Sequence, residues 1–352
     1  MTILVHHIGA LGDTIVTIPA LRAVRAAWPA ADVVMLHDAP RRPGPGVVSP
    51  ARVLEGTGLV DRFLPYARDL GGPALVAELW RVWRSVRALA PAAAVFVGPS
   101  ERDASALRRD RALLRSAGVR RFVGFGAAPR SPAGEGLRKL ARLAQDGVAT
   151  AADASWLSLP FLTVTPADLA AVDTWLDEMQ APRGRLIAIA PETRMNAKLW
   201  PAERFAEIGR RLVERGWWPI LIGAGVGPGS AGGWVERWRG GGDAGGRWDV
   251  PHSAALLSRC ALYVGVDSGL AHLAAAVRCR TVVLTSGLFE LGQWDPLGDG
   301  HTVLRHRTPC ERCRVSECPV AGHPCMTGLS IDCVWDAVQR GLATAAASGE
   351  AR

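Results

Sequence analysis

The sequence predicts an α/β protein made of two Rossmann-like domains whose parallel sheets face a cleft. Three observations carry that prediction. Short apolar, β-branched runs alternate with longer runs of helical period, the pattern of parallel strands joined by right-handed helical crossovers. The chain has 352 residues, of which 49% are hydrophobic and 21% charged, so it is globular and longer than one core usually holds. Thr165-Pro166 reads as an N-cap with proline in the first turn, opening a second α/β series. The expected division is a first domain at 1–164, a linker helix at 165–181, a second domain at 182–330, and a C-terminal helix and tail at 331–352.

The elements follow in order. Residues 3–6 read as a strand, 7–13 as a loop, and 14–28 as a helix with Ile15, Ile18, Leu21 and Val24 on one face, ended by Pro29. A second strand at 33–36 precedes a proline-rich loop at 40–50. Residues 74–89 are helical, and the stripe Leu75, Leu79, Trp83 and Val86 predicts core packing. Short strands follow at 95–97 and 122–125, whereas 127–155 is too weakly patterned to place. The second series runs strand 186–190, helix 201–215 closed by Gly216, and strand 218–222. A glycine-rich stretch at 223–246 follows, broken by a short helix at 234–238. Helix 253–258, strand 262–266, helix 270–277 and strand 281–284 complete the order.

The formal net charge of +8 favours an anionic partner without choosing among nucleotide-sugar, nucleic acid and membrane surface. Arg81, Arg84 and Arg87 read most simply as a solvated helical face. No apolar run reaches the ~18 residues of a membrane span. Asp13 interrupts the first apolar stretch, which has no basic region before it, so no signal peptide is read and a cytoplasmic location is expected. Of seven cysteines, Cys260 and Cys279 lie in apolar runs and read as core residues. Cys310, Cys313, Cys318, Cys325 and Cys333 crowd together. In a cytoplasmic chain the first four have a spacing suited to a structural zinc or iron ion, the alternative being reduced, loosely packed thiols.

Three strand-to-helix loops carry the chemistry. In His7-Ile8-Gly9-Ala10-Leu11-Gly12-Asp13-Thr14 the glycines do not match a dinucleotide fingerprint, and Asp13 is either a helix cap or a general base for a hydroxyl. In Pro191-Glu192-Thr193-Arg194-Met195-Asn196-Ala197-Lys198-Leu199-Trp200-Pro201, Arg194 and Lys198 put cations where an anion also meets backbone N–H groups. In Asp267-Ser268-Gly269-Leu270-Ala271-His272 a strand becomes an alanine-rich helix through a turn open enough for a phosphate. A plain N-cap by Asp267 or Ser268 is the competing reading.

Taken together, Gly9–Asp13 with Pro19 and Leu21-Arg22, Lys198-Leu199-Trp200-Pro201-Ala202-Glu203-Arg204-Phe205, and Asp267–His272 with Ala274–Ala276 resemble glycosyltransferase family 9, the ADP-heptose:lipopolysaccharide heptosyltransferases and their relatives. The clustered cysteines and His323-Pro324-Cys325 also resemble a C-terminal feature of many members. The likeness is strongest in the C-terminal half and weakest at 40–155. It implies a GT-B fold, with acceptor held mainly by the first domain and nucleotide-sugar by the second, and an inverting transfer that needs no metal or other cofactor.

Carried onto this sequence, the resemblance implies Asp13 as the base and Gly9 and Gly12 as its acceptor-side loop. It implies Lys198 as the group that neutralises the departing diphosphate, and Ser268, Gly269 and Leu270 as a backbone cradle. Asp267 and His272 become donor-side residues, joined by Arg194 and by Thr193. The family usually has a small hydroxyl residue where this chain has Arg194, and an acidic residue after the strand at 218–222 that the run 223–233 lacks. The implied partners are ADP-heptose or another nucleotide-sugar and a glycan or lipid-linked acceptor. Nucleic acid is not among them, and the basic surface allows a peripheral contact with anionic lipid on the inner face of the plasma membrane. Alternatives are transfer of another sugar to an acceptor outside lipopolysaccharide, a non-catalytic nucleotide-sugar-binding protein that would not need Asp13, or a metal- or redox-sensing protein built on the cysteines.

Overall fold

The computed structural model describes residues 1–40, 47–67, 69–129, 134–148, 154–158, 160–225 and 233–347. The loop expected at 40–50, the unplaced segment at 127–155, the glycine-rich run after 223 and the end of the tail lie partly outside them. The chain divides into two compact units, Met1–Ser158 and Leu159–Arg352.

The sheet of the first unit contains β1 (Thr2–His7), β2 (Asp32–Ala39), β3 (Arg62–Ala67), β4 (Ala93–Phe96) and β5 (Arg121–Val123), in the order β3-β2-β1-β4-β5. That of the second contains β6 (Leu186–Ala190), β7 (Trp218–Leu221), β8 (Gly242–Asp243), β9 (Leu262–Val266), β10 (Thr281–Thr285) and β11 (His301–Arg305), in the order β11-β10-β9-β6-β7-β8. Every pairing is parallel, as the alternation of strand and helix signals predicts. In each sheet the strand order reverses beside the first strand of its unit, between β1 and β4 and between β6 and β9. Ligands of open α/β sheets bind outside the carboxyl ends of the strands at such points.

Each unit has its own core. Leu4, Val34, Leu36, Ala94 and Phe96 anchor the first, and Ile187, Ile189, Val264, Val282, Phe205, Trp234 and Trp238 the second. The C-terminal helix Ile331–Ala347 buries Val334, Trp335 and Val338 in the second core. Among the described residues no helix is long and apolar enough to cross a membrane.

Three local readings change. The helix expected at 14–28 is two helices, Leu11–Ile15 and Ile18–Ala27. Pro19 has no N–H for a continuous ladder, and the Thr17 hydroxyl takes up the Asp13 carbonyl at 2.6 Å. The helix Gly72–Leu89 buries Val82 and Val86, but Leu75 and Leu79 of the expected core stripe are 37% and 43% exposed, because its first half extends past the core. Within 127–155 lies the helix Glu135–Gln145. Its buried residues include Glu135, Arg138, Lys139 and Arg142, so apolar periodicity does not reveal that face.

Candidate active site

In the second unit, β6 and β9 end side by side and deliver the two loops singled out in the sequence. After β6 the chain makes the 3-10 turn Asn196–Lys198 and enters the helix Ala202–Glu214. The Lys198 ammonium bonds the Asp267 carboxylate at 2.8 Å and the Asp267 carbonyl oxygen at 3.1 Å, with both side chains nearly buried. It also lies 5.4 Å from the centre of the Phe289 ring. An ammonium donates three hydrogen bonds, and Asp267 takes two. A carboxylate beside an incoming phosphate would repel it; here the pairing makes Asp267 the group that aims Lys198.

Ser268 is the N-cap of the helix Gly269–Ala276, yet no side chain caps that helix. The simple capping reading of Asp267 or Ser268 therefore does not hold. First-turn N–H groups at Gly269 and Leu270 face the mouth of the helix, where its dipole favours negative charge. His272 is buried on this helix with its ring edge-on to Trp294, 6.3 Å between centres. The Thr193 hydroxyl accepts the Met195 N–H at 3.1 Å and so shapes the loop, while Arg194 is exposed.

The residues after Lys198 explain the firmness of this turn. Trp200 donates to the Leu329 carbonyl at 3.0 Å and packs edge-on against Phe205, and Arg204 bonds the carbonyls of Thr327 and Leu329, each at 2.6 Å. The cysteine-rich segment completes the support. Ala197 N–H donates to the Ser316 carbonyl at 3.0 Å, and the His323 ring meets the Ala197 carbonyl at 3.1 Å.

The four-thiolate ion expected at Cys310, Cys313, Cys318 and Cys325 is not supported. Among the described residues no group of three or more histidine, cysteine or acidic side chains is placed to hold a metal ion. Cys313 is exposed between Arg312 and Arg314, both at positive φ, Cys318 points to the Val320 carbonyl, and Cys325 is buried. Burial pushes the Cys325 thiol up, and the other three thiols add to it in the same direction. The spacing records a tight loop braced against the Lys198 turn.

In the first unit, Asp13 stands in the third turn position of the helix Leu11–Ile15, just past β1. One carboxylate oxygen accepts the Ala10 N–H at 2.9 Å, so the capping reading holds in part. Gly9, at φ +139°, passes so close that any side chain there would meet the Asp13 carboxylate, and its N–H donates to Asp38 at 2.9 Å. Gly12 is helical backbone within the same turn. Burial pushes the Asp13 carboxyl above its ordinary value, opposed by the Lys139 ammonium and the Ala10 N–H. That direction suits a general base.

Sequence reasoning missed Lys139, Glu192 and the loop after β10. Lys139, fully buried, bonds the Thr17 hydroxyl at 2.7 Å. Glu192 is buried with its carboxylate against Gly223, where a Cβ would approach it to 2.5 Å, and it accepts the Gly225 N–H at 3.2 Å. A carboxylate thus stands at the end of β7 although the run after β7 contains none. The β10 loop supplies Phe289 and Trp294, and Asp295, whose carboxyl is pushed up by burial and by the charge of Asp267. Its signal was its place after a parallel strand.

Residues 163–323 match the family model described as glycosyltransferase family 9 (heptosyltransferase). Among solved structures the chain is similar to a family 9 glycosyl transferase from Veillonella parvula DSM 2008, with TM-score 0.73, 18% identity and 97% of each chain covered. It is similar to the E. coli ADP-heptose lipopolysaccharide heptosyltransferase II, with TM-score 0.66, 18% identity, and 98% of this chain and 99% of that one covered. The E. coli heptosyltransferase WaaC with ADP gives TM-score 0.66 at 16% identity, covering 97% of this chain and 100% of that one. No curated protein sequence matches. These likenesses give the chain the GT-B fold, and the family match places the resemblance to glycosyltransferase family 9 on residues 163–323, most of the second unit.

Proposed function

We propose that the protein transfers a heptose, or a sugar of similar shape, from a nucleoside diphosphate to a hydroxyl of a lipopolysaccharide-core or other glycan or lipid-linked acceptor. The observation that carries this reading is the Lys198–Asp267 pair set against the uncapped first turn of Gly269–Ala276 at the reversal of the second sheet. The leaving diphosphate gains negative charge as the sugar–oxygen bond breaks. Lys198 and fixed N–H donors stabilise that charge without a divalent ion, in a site that need not reorganise. ADP-heptose is the leading donor. Glu192, at the edge next to β7, is suited to accept hydrogen bonds from ribose hydroxyls.

Asp13 accepts the proton of the acceptor hydroxyl while that oxygen bonds to the anomeric carbon and the diphosphate departs. A single displacement of this kind inverts the anomeric centre. Peripheral contact with anionic lipid at the inner face of the plasma membrane would bring the enzyme to a lipid-linked acceptor.

Thermal-shift measurements against ADP-, UDP-, GDP- and dTDP-sugars test the donor, since a ligand at 100 times its Kd stabilises by about 2.7 kcal/mol. Stabilisation by the ADP-sugar above the others is expected, and a response to none removes the reading. Turnover that persists in Asp13→Ala removes Asp13 as base, and turnover abolished by a chelator removes the metal-independent mechanism.

A further inference from the structure

The proposed use of a lipid-linked acceptor leaves open which surface meets the lipid, and one helix face stands out. Of nine large apolar side chains exposed among the described residues, four fall within six consecutive positions of the helix Gly72–Leu89. Leu75 is 37% exposed, Val76 66%, Leu79 43% and Trp80 57%. The other five are scattered singly along the chain, which is ordinary for a protein surface. Contiguous exposed apolar groups are not, and mark an interaction site.

The face is held firmly. Trp80 stacks on Trp83 with 4.8 Å between ring centres and 7° between planes. Trp83 in turn donates to the Ser116 hydroxyl at 3.1 Å and so is tied to the helix Ala104–Ser116. On a helical wheel, Leu75, Leu79, Trp83, Val76 and Trp80 form one arc, Arg87 falls within it between Val76 and Trp80, and Arg84 and Arg81 continue it on one side. Arg87 and Arg84 are exposed, with Arg87 lying over the Trp83 ring at 5.4 Å. The helix has one carboxylate, Glu78, which is committed to Arg81 at 2.7 Å. The exposed cations beside the apolar arc therefore lack an acidic counterweight on their own helix.

We infer that this face of Gly72–Leu89 rests in the interfacial layer of an anionic lipid bilayer, with Val76, Leu79 and Trp80 entering the headgroup boundary and Arg84 and Arg87 contacting lipid phosphates. An apolar arc with an indole and a cationic flank is the composition that suits that layer, where a tryptophan places its ring among acyl chains and its N–H in water. The charge complementarity decides the occupant. A second copy of this chain would bring the same arginine row against itself, whereas an anionic bilayer offers the row opposite charge and the indole an interface. The inference extends the proposed acceptor class but is read without turnover.

The test is sedimentation of the full chain with vesicles of phosphatidylcholine, alone or with 40% phosphatidylglycerol on the order of physiological anionic content. Binding is expected only to the anionic vesicles, weakening with salt. Trp80→Asp combined with Val76→Asp should reduce partitioning at least tenfold. Arg84→Gln and Arg87→Gln should each reduce it about fivefold, since a basic residue near an anionic surface contributes about 1 kcal/mol. Melting temperature and ADP binding should stay unchanged in all of these exposed-site variants. Absence of vesicle binding, or binding that none of the variants weakens, overturns the inference. So does a solution dimer that Trp80→Asp dissociates, which would make a second copy the occupant. Loss of vesicle binding with donor turnover intact tests this surface alone, and loss of turnover in Asp13→Ala tests the catalytic reading alone.

Discussion

The ammonium of Lys139 lies 2.7 Å from the Thr17 hydroxyl and 3.3 Å from the carbonyl oxygen of Asp13, and the Thr17 hydroxyl itself donates to that same carbonyl at 2.6 Å. A buried cation is thus fixed behind the helical turn that carries the proposed base. The charged groups acting on Asp13 are Lys139, which lowers its pKa, and Asp38, which raises it, against the dominant upward effect of burial.

Removing the cation takes away the largest opposing effect and leaves backbone N–H groups such as that of Ala10 alone against burial. In Lys139→Met the acid limb of the kcat/KM profile should move to higher pH, because the base must be ionised to accept a proton. Thr17→Val removes a hydrogen bond but keeps the charge, and should leave the limb in place. A profile unmoved in Lys139→Met would show that the lysine serves the fold and not the ionisation of Asp13.

Lys198→Met should lower kcat about 10²- to 10³-fold, the usual effect of deleting one donor to developing negative charge. It also strands the nearly buried Asp267 carboxylate, a loss on the order of 3–5 kcal/mol when a buried pair is broken. Lys198→Met with Asp267→Asn should therefore regain stability in denaturant unfolding without regaining turnover. Recovery of both together would reduce the pair to a structural one.

Glu192 and Gly223 share one space. Gly223→Ala forces a Cβ against the carboxylate and should destabilise by about 1–3 kcal/mol, an overpacking effect that Glu192→Ala relieves in the double variant. Glu192→Gln should weaken binding of ADP more than binding of its 2′-deoxy analogue. Equal weakening of the two would assign the carboxylate to the loop at Gly225 and not to a ribose.

Acid should unfold the first unit early. Burial holds His6 neutral, with its pKa lowered to about 4, and pushes His7 down as well. Between roughly pH 6.5 and 4 the unfolded chain binds protons that the folded chain refuses, so stability falls as the pH falls through that window. His6 alone contributes up to about 3 kcal/mol of that loss at 1.36 kcal/mol per pH unit. Denaturant unfolding of His6→Phe across the window checks the sign, since the variant should show a smaller loss than the parent.

The loops proposed for the donor were legible because they are local. Strand 262–266, the Asp267–Leu270 turn and the helix behind it are consecutive, and each residue type is the one its backbone position favours. The same holds for Lys198 and the Trp200, Arg204 and Phe205 that lock its loop. The helix Glu135–Gln145 was illegible for the opposite reason. It buries charged residues, with Glu135 bonded to Ser100 and the Arg142 guanidinium 5.2 Å over Phe96, so side chains that read as a solvated face lie inside. Cysteine spacing brought the thiols near one another without placing three or more of them to hold an ion among the described residues.

The sequence by itself determined the alternation of strand and helix, the parallel sheets that this alternation implies, and which strand ends carry Asp13, Lys198 and Asp267, while β3, β8, β11 and the helices Ala104–Ser116 and Glu135–Gln145 went unread. Tertiary structure alone decided that Lys198 would be aimed by Asp267, that Glu192 would supply a carboxylate beside β7, that Lys139 would sit behind Asp13, and that Leu75 and Leu79 would face outward. The physical reason is range. Propensity, capping and periodicity act over a few residues, whereas the pairing of a buried charge is set by whichever distant segment the sheet order brings beside it.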